Sequence, residues 1–283
     1  MAILRRGDVD LYYEVRGVGT PLMLVAGLAA DSSYWLPVVD ALAAKYRVIL
    51  LDNRGSGHTS PLDAASGIGT MADDCIALVR HLGLPKVHFA GHSMGGMIVQ
   101  ECAIRRPDLV DRIVLAATAP VLSARDNDLF ASWATLFDAI DRSLWFRNLF
   151  YWVFTQRFFD DAKAVDALVQ LATAYPYQQS PAALWNQVRA IAAFDATKSL
   201  SDIRARTLVL AGTDDLLFPI AASAAFTKAI PHATFAPIEG AAHSIPVEFP
   251  QEFTRRVVDF LGLNEGQARI SRGRKKCESD PRF

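Results

Sequence analysis

Short apolar runs and longer segments of helical period take turns along most of this chain. The runs "PLMLVAG", "YRVILLD", "KVHFAG", "DRIVLAA", "RTLVLAG" and "ATFAPI" are mostly apolar throughout, as strands buried on both faces of a sheet are. Among them lie "YWLPVVDALAAKY", "TMADDCIALVRHLG", "MGGMIVQECAIRRP", "IAASAAFTKAIP" and "PQEFTRRVVDFLG", which carry helical period and in several cases close on Gly or Pro. Strand and helix in alternation predict a mostly parallel central sheet with flanking helices, an α/β fold. At the start, Ala2 to Arg6 and Leu11 to Val15 flank "GDVD" and predict an antiparallel hairpin.

The rhythm breaks once. From about Val121 to Leu200 no strand candidate occurs, and aromatics crowd the segment from Trp133 to Phe159. This stretch reads as a helical insertion. Residues 1–120 and 201–263 then make the α/β core and 121–200 a helical cap. The remainder, 264–283, "NEGQARISRGRKKCESDPRF", is polar, basic and aperiodic, and is expected to be a disordered tail.

Composition narrows the function classes. With 51% hydrophobic and 21% charged residues the chain can bury a large core. Twenty-nine basic against thirty acidic residues leave a net charge of -1, which provides no drive toward nucleic acid or anionic membrane and favours a small-molecule ligand. Cys75, Cys102 and Cys277 are odd in number and widely spaced, which points to a reducing compartment and no metal site. Arg5, Arg6 and Asp8 interrupt the N-terminus before a signal sequence could form, so a cytoplasmic location is expected. The window "LWFRNLFYWVF" is too short to span a bilayer and carries Arg147; it reads as a buried or ligand-facing helix. Neither G-x-G-x-x-G after the first parallel strand nor a G-x-x-x-x-G-K-[ST] loop is present, so no cofactor is expected. The same features are compatible with a homo-oligomer.

The chemistry-bearing motif is "GHSMGG", Gly91 to Gly96. G-x-S-x-G alone recurs by chance in about one chain of this length in ten, so its placement carries the argument. It falls where a buried strand turns into a helix, the setting of a nucleophile elbow, which presents Ser93 at the sheet's carboxyl edge and needs small residues on its flanks. The Met94 amide, at the positive end of the helix dipole, is then placed to stabilise an oxyanion. Serine needs a base, and His58, His81, His88, His92, His232 and His243 are the candidates. His92 adjoins the elbow and reads as loop support; His243 stands in the loop "EGAAHSIPVEFP" after the last strand. An orienting acid fits at "AGTDD", where the residues alone leave Asp214 and Asp215 equivalent.

From Leu11 to Leu263 the chain resembles the α/β-hydrolase superfamily, on five ordered motifs: "AGL", "DNRGSGHTS", "GHSMGG", "GTDDLLFP" and "GAAHSIPVEFP". The resemblance implies a triad in the order Ser93, Asp215, His243, with G-x-x-D-x-x-x-P mapping onto Gly212, Asp215 and Pro219, and G-x-x-H onto Gly240 and His243. It assigns the second oxyanion amide to Leu28 and makes Asp52 and Arg54 architectural. More finely, "GLAADSSYWLPVVDAL" is similar to the aminoacrylate hydrolases and 3-oxoadipate enol-lactonases, although Ala26 stands where many relatives have His. The expected activity is cofactor-free hydrolysis of a small, mainly apolar ester, lactone or amide. Perhydrolysis, carbon–carbon bond hydrolysis and non-catalytic ligand binding are the alternatives on the same scaffold, and Ser93 argues against haloalkane dehalogenation.

Overall fold

The computed structural model describes residues 2–262. Cys277 and the predicted tail lie outside the described residues. Eight strands form one sheet: β1 Ala2–Arg6, β2 Val9–Arg16, β3 Pro21–Val25, β4 Arg47–Leu51, β5 Val87–His92, β6 Val110–Ala116, β7 Arg206–Gly212 and β8 Ala233–Ile238. Their spatial order is β1-β2-β4-β3-β5-β6-β7-β8. The first two pairings are antiparallel, and every pairing from β4 to β8 is parallel.

Side chains alternate across each strand, so neighbouring apolar residues feed different cores. Leu22 and Leu24 of β3 pack with α1 (Leu36–Ala43) and Trp35, whereas Met23 and Val25 pack with α2 (Ile68–His81) and α3 (Met94–Arg105). Both faces are therefore dry, which explains why these strands are apolar runs without polar alternation.

Between β6 and β7 the chain forms five helices: α4 Ala124–Ala139, α5 Arg142–Val153, α6 Gln156–Phe159, α7 Ala162–Thr173 and α8 Pro181–Ala192. Ser123, Asp141, Thr155, Asp161 and Ser180 cap them in turn, each side chain accepting a hydrogen bond from a first-turn amide. After β7 come α9 (Ile220–Ala229), α10 (Ile245–Glu248) and α11 (Pro250–Leu261). Two details differ from the pattern in the sequence. "YWLPVVDALAAKY" opens with a 3-10 turn over Ser32–Trp35, capped by Asp31, before α1 begins. The four-residue α10, directly after His243, is too short to show periodicity and ends where Pro250 starts the next helix.

Candidate active site

The parallel strands deliver their following loops to one edge of the sheet, the place where open α/β folds bind ligands. Gly27 and Leu28 follow β3, Ser93 follows β5, Asp215 follows β7 and His243 follows β8. Strand β5 is buried at every position and sits centrally between β3 and β6, so the residue at its end is held by strand pairing on both sides.

Ser93 has φ 55° and ψ −122°, a left-handed conformation unfavourable for a side-chain-bearing residue. The surroundings impose it. Its amide donates to the Ala116 carbonyl (3.0 Å), while its carbonyl accepts from the Gly96 amide (2.9 Å) and the Thr118 hydroxyl (2.7 Å). A Cβ on Gly91 would collide with the Gly95 carbonyl, and one on Gly95 with the carbonyl of Val25. Glycine is thus required on both flanks so that α3 can descend directly against β3 and β5.

His243 and Asp215 meet in a buried pair. Asp215 Oδ2 lies 3.0 Å from His243 Nδ1, while Oδ1 accepts the amides of Leu217 (2.8 Å) and Phe218 (3.1 Å). A carboxylate only accepts, so His243 carries its proton on Nδ1 and presents Nε2 as an acceptor. Asp214 is separated from it: its side chain is exposed beside the Thr213 hydroxyl (3.0 Å), and its amide donates to the Ala241 carbonyl (2.9 Å). The physical basis for telling the two aspartates apart is this pair of backbone amides, which hold only Asp215 facing inward.

His92 buttresses the same loop. Its Nε2 is 2.9 Å from the His243 carbonyl and 3.1 Å from the Tyr34 hydroxyl, and its ring stacks on Tyr34. Because a carbonyl only accepts, Nε2 bears the proton. Burial pushes the imidazole well below its ordinary pKa, with the neighbouring His243 adding to the effect, so His92 stays neutral. The remaining histidines lie elsewhere. His58 is 3.0 Å from Asp52 and packs between the rings of Tyr12 and Tyr177, His81 meets the Tyr13 hydroxyl (3.3 Å), and His88 is buried in β5.

Ser93, His243, Gly27 and Leu28 line one cavity of about 470 Å³, roofed by the helices between β6 and β7; the Met94 side chain is buried and does not line it. Asp52 and Arg54 stand behind it. Asp52 accepts the amides of Ser32 (2.8 Å) and His58 (2.9 Å), and Arg54 pairs with the buried Asp74 (2.6 Å).

The loop after β3 is held by residues that sequence reading did not single out. Asn53 Nδ2 donates to the Ala26 carbonyl (3.0 Å), a bond that anchors the loop where Ala26 offers no side-chain donor. Gln187 of α8, fully buried, accepts from the Ala29 amide (3.3 Å) and donates to the Arg54 carbonyl (2.8 Å) and the Ser56 hydroxyl (2.9 Å). With the Ala29 amide so engaged, the adjacent Leu28 amide makes no hydrogen bond among the described residues. Tyr175 donates to Asp31 (2.6 Å) across the same seam. Gln187 lies within α8 and Tyr175 ahead of it, and nothing in the surrounding sequence signals partners so far away.

No group of histidine, cysteine, aspartate or glutamate suited to a metal occurs among the described residues, and none of their helices is long and apolar enough to cross a membrane.

Known proteins share this arrangement of chain. A "Putative carbamate hydrolase RutD" of Azorhizobium caulinodans is 30% identical over 258 residues, covering 90% of this chain and 96% of its own. A hydrolase of Pseudomonas aeruginosa superposes with a TM-score of 0.82 at 26% identity, over 93% of this chain and 98% of its own. The enol-lactonase of Burkholderia xenovorans does so with 0.83 at 25%, over 92% of this chain and 100% of its own. Since the sequence profile of the alpha/beta hydrolase fold also matches residues 20–250, spanning the loops that carry Ser93, Asp215 and His243, the chain belongs to the α/β-hydrolase family and is a hydrolase.

Proposed function

We propose that the protein is a cofactor-free serine hydrolase that cleaves an ester, lactone or amide through an acyl-enzyme. The observation that carries this reading is the buried His243–Asp215 pair at 3.0 Å, whose His243 lines the same cavity as Ser93. With Nδ1 holding its proton toward Asp215, His243 Nε2 takes the proton of Ser93 as the hydroxyl attacks the acyl carbon. The negative charge that develops on the substrate oxygen is met by the amides of Leu28 and Met94, the latter at the N-terminus of α3. His243 then returns its proton to the departing alcohol or amine. Water, deprotonated by the same imidazole, releases the acid and restores Ser93. Asp215 orients the ring and stabilises the imidazolium. The helices over the cavity select the substrate, and no metal or cofactor is required.

The test is covalent. A fluorophosphonate probe labels the wild-type protein, which also turns over p-nitrophenyl butyrate; Ser93→Ala loses both. Turnover by Ser93→Ala at the wild-type rate, or labelling at another residue, would refute the assignment.

A further inference from the structure

The cavity is much larger than the smallest acyl groups require, and its chemistry is divided. Toward α4 and α5 it is walled by Phe130, Trp133, Phe146, Leu149 and Phe150. Its polar lining comes from other elements and includes Asp31 and Tyr175, which are bonded to each other. No lysine or arginine lines it among the described residues. Arg142, which touches the lining residue Phe137, is committed to that residue's carbonyl and ring face. Asp31, the one carboxylate in the lining among the described residues, is spent on the Tyr175 hydroxyl and the Ser33 amide. An anionic substrate group entering here finds no countercharge and would be buried unpaired.

The two ends differ in exposure. Phe130 and Trp133 are 4% and 3% exposed, whereas Leu36 and Leu171 are 58% and 68% exposed, so the α4–α5 arm is a closed end and the latter pair mark the mouth. At about 30 Å³ per water-sized group, a cavity of about 470 Å³ admits roughly fifteen non-hydrogen atoms. In an acyl-enzyme the alcohol departs first while the acyl group stays bonded to the serine. The closed arm therefore suits the acyl group, and the mouth suits the alcohol.

We infer, on the serine-hydrolase reading above, that the substrate is an uncharged ester or lactone with an apolar acyl chain of about six to ten carbons seated between α4 and α5. Small or anionic acyl groups are poor substrates.

The experiment is a series of p-nitrophenyl esters from acetate to dodecanoate, with the succinate monoester as the anionic counterpart of butyrate, assayed on the full chain. The ratio kcat/KM rises about three- to fourfold per added methylene, the equivalent of about 0.8 kcal/mol each, up to about octanoate or decanoate and then falls. The succinate monoester is at least about a hundredfold poorer than butyrate. Leu149→Trp, which narrows the arm, shifts the optimum to shorter chains by depressing octanoate more than acetate. A flat or falling series in the wild type, or equal turnover of succinate and butyrate esters, overturns the inference while fluorophosphonate labelling of Ser93 leaves the hydrolase reading in place. If labelling also fails, the hydrolase reading and this inference fall together.

Discussion

Replacing Asp215 by Asn tests the paired-imidazole geometry most directly, because the change is nearly isosteric and its consequence follows from donor and acceptor counts. The oxygen of the introduced amide can still accept from the backbone N–H groups of Leu217 and Phe218, which forces its NH2 group toward His243 Nδ1. A donor facing Nδ1 favours the tautomer with the proton on Nε2, where it can no longer accept from Ser93. The countercharge for the imidazolium is lost as well. The corresponding exchange in a serine-protease triad lowers kcat by about 10⁴, or about 5.5 kcal/mol of barrier, and the full burial of the Asp215 side chain places it in the same regime. Asp214→Asn, on an exposed side chain beside the Thr213 hydroxyl and outside the His243 pair, changes the barrier by less than about 0.5 kcal/mol. The assay is kcat/KM on an activated ester for both variants, with thermal unfolding alongside. Since the two amide bonds persist, the Asp215→Asn midpoint moves by no more than about 4 °C. Equal losses in the two variants, or an Asp215→Asn enzyme within about tenfold of wild type, would refute the reasoning.

Three further outcomes are expected. Gly95→Ala drives a Cβ into the Val25 carbonyl and costs about 3 kcal/mol or more, measured by urea unfolding; an unchanged midpoint would show that α3 can shift away from β3. Gln187→Ala leaves the Arg54 carbonyl and Ala29 amide without their partner, so the midpoint falls and kcat drops about tenfold as the Leu28 loop slackens; a stable variant with full kcat would sever the link. Glu248 has its carboxyl pushed above the ordinary 4.5, first by burial and against the hydrogen bonds from Thr155. A raised folded-state pKa means that its contribution to stability is complete below 4.5 and lost as pH rises through the raised value. Glu248→Gln therefore melts higher than wild type at pH 7, with the gap closing toward pH 4; a lower melting point at pH 7 would contradict the sign.

The parts of the molecule that were legible in the sequence are those where one local requirement dictates residue type. Burial on two faces writes an apolar run, as in β3 and β5, and the close approach of α3 to its strands writes Gly91 and Gly95 around Ser93. Asp215 is different. Its distinction from Asp214 rests on two amides in the turn that follows, and a backbone amide has no residue signature. Family resemblance supplied that choice where side-chain chemistry could not. Gln187 was illegible for a second reason: 158 positions separate it from Ala29, and its value appears only when the insertion folds back over the loop. The aromatics between Trp133 and Phe159 serve both packing and cavity, since Trp133, Trp145 and Phe150 are buried in hydrophobic clusters and also line the chamber.

The Gln187 side chain also bears on how this protein can diversify. Helices α4 and α5 face the cavity mainly with hydrocarbon, so exchanges there alter its shape at a cost set mainly by packing. Helix α8 is tied by one amide group to the backbone beneath Ser93's neighbouring loop, and a transplanted insertion lacking that amide would arrive with a fitting chamber above a loosened floor. The α5 end of the same segment is tied to the core as well, the Val153 carbonyl accepting from the Ser244 amide (2.9 Å) and the Thr155 hydroxyl donating to Glu248 (2.7 Å). An exchange of the segment between β6 and β7 must therefore keep the Gln187 amide at one end and the Ser244–Val153 bond beside His243 at the other.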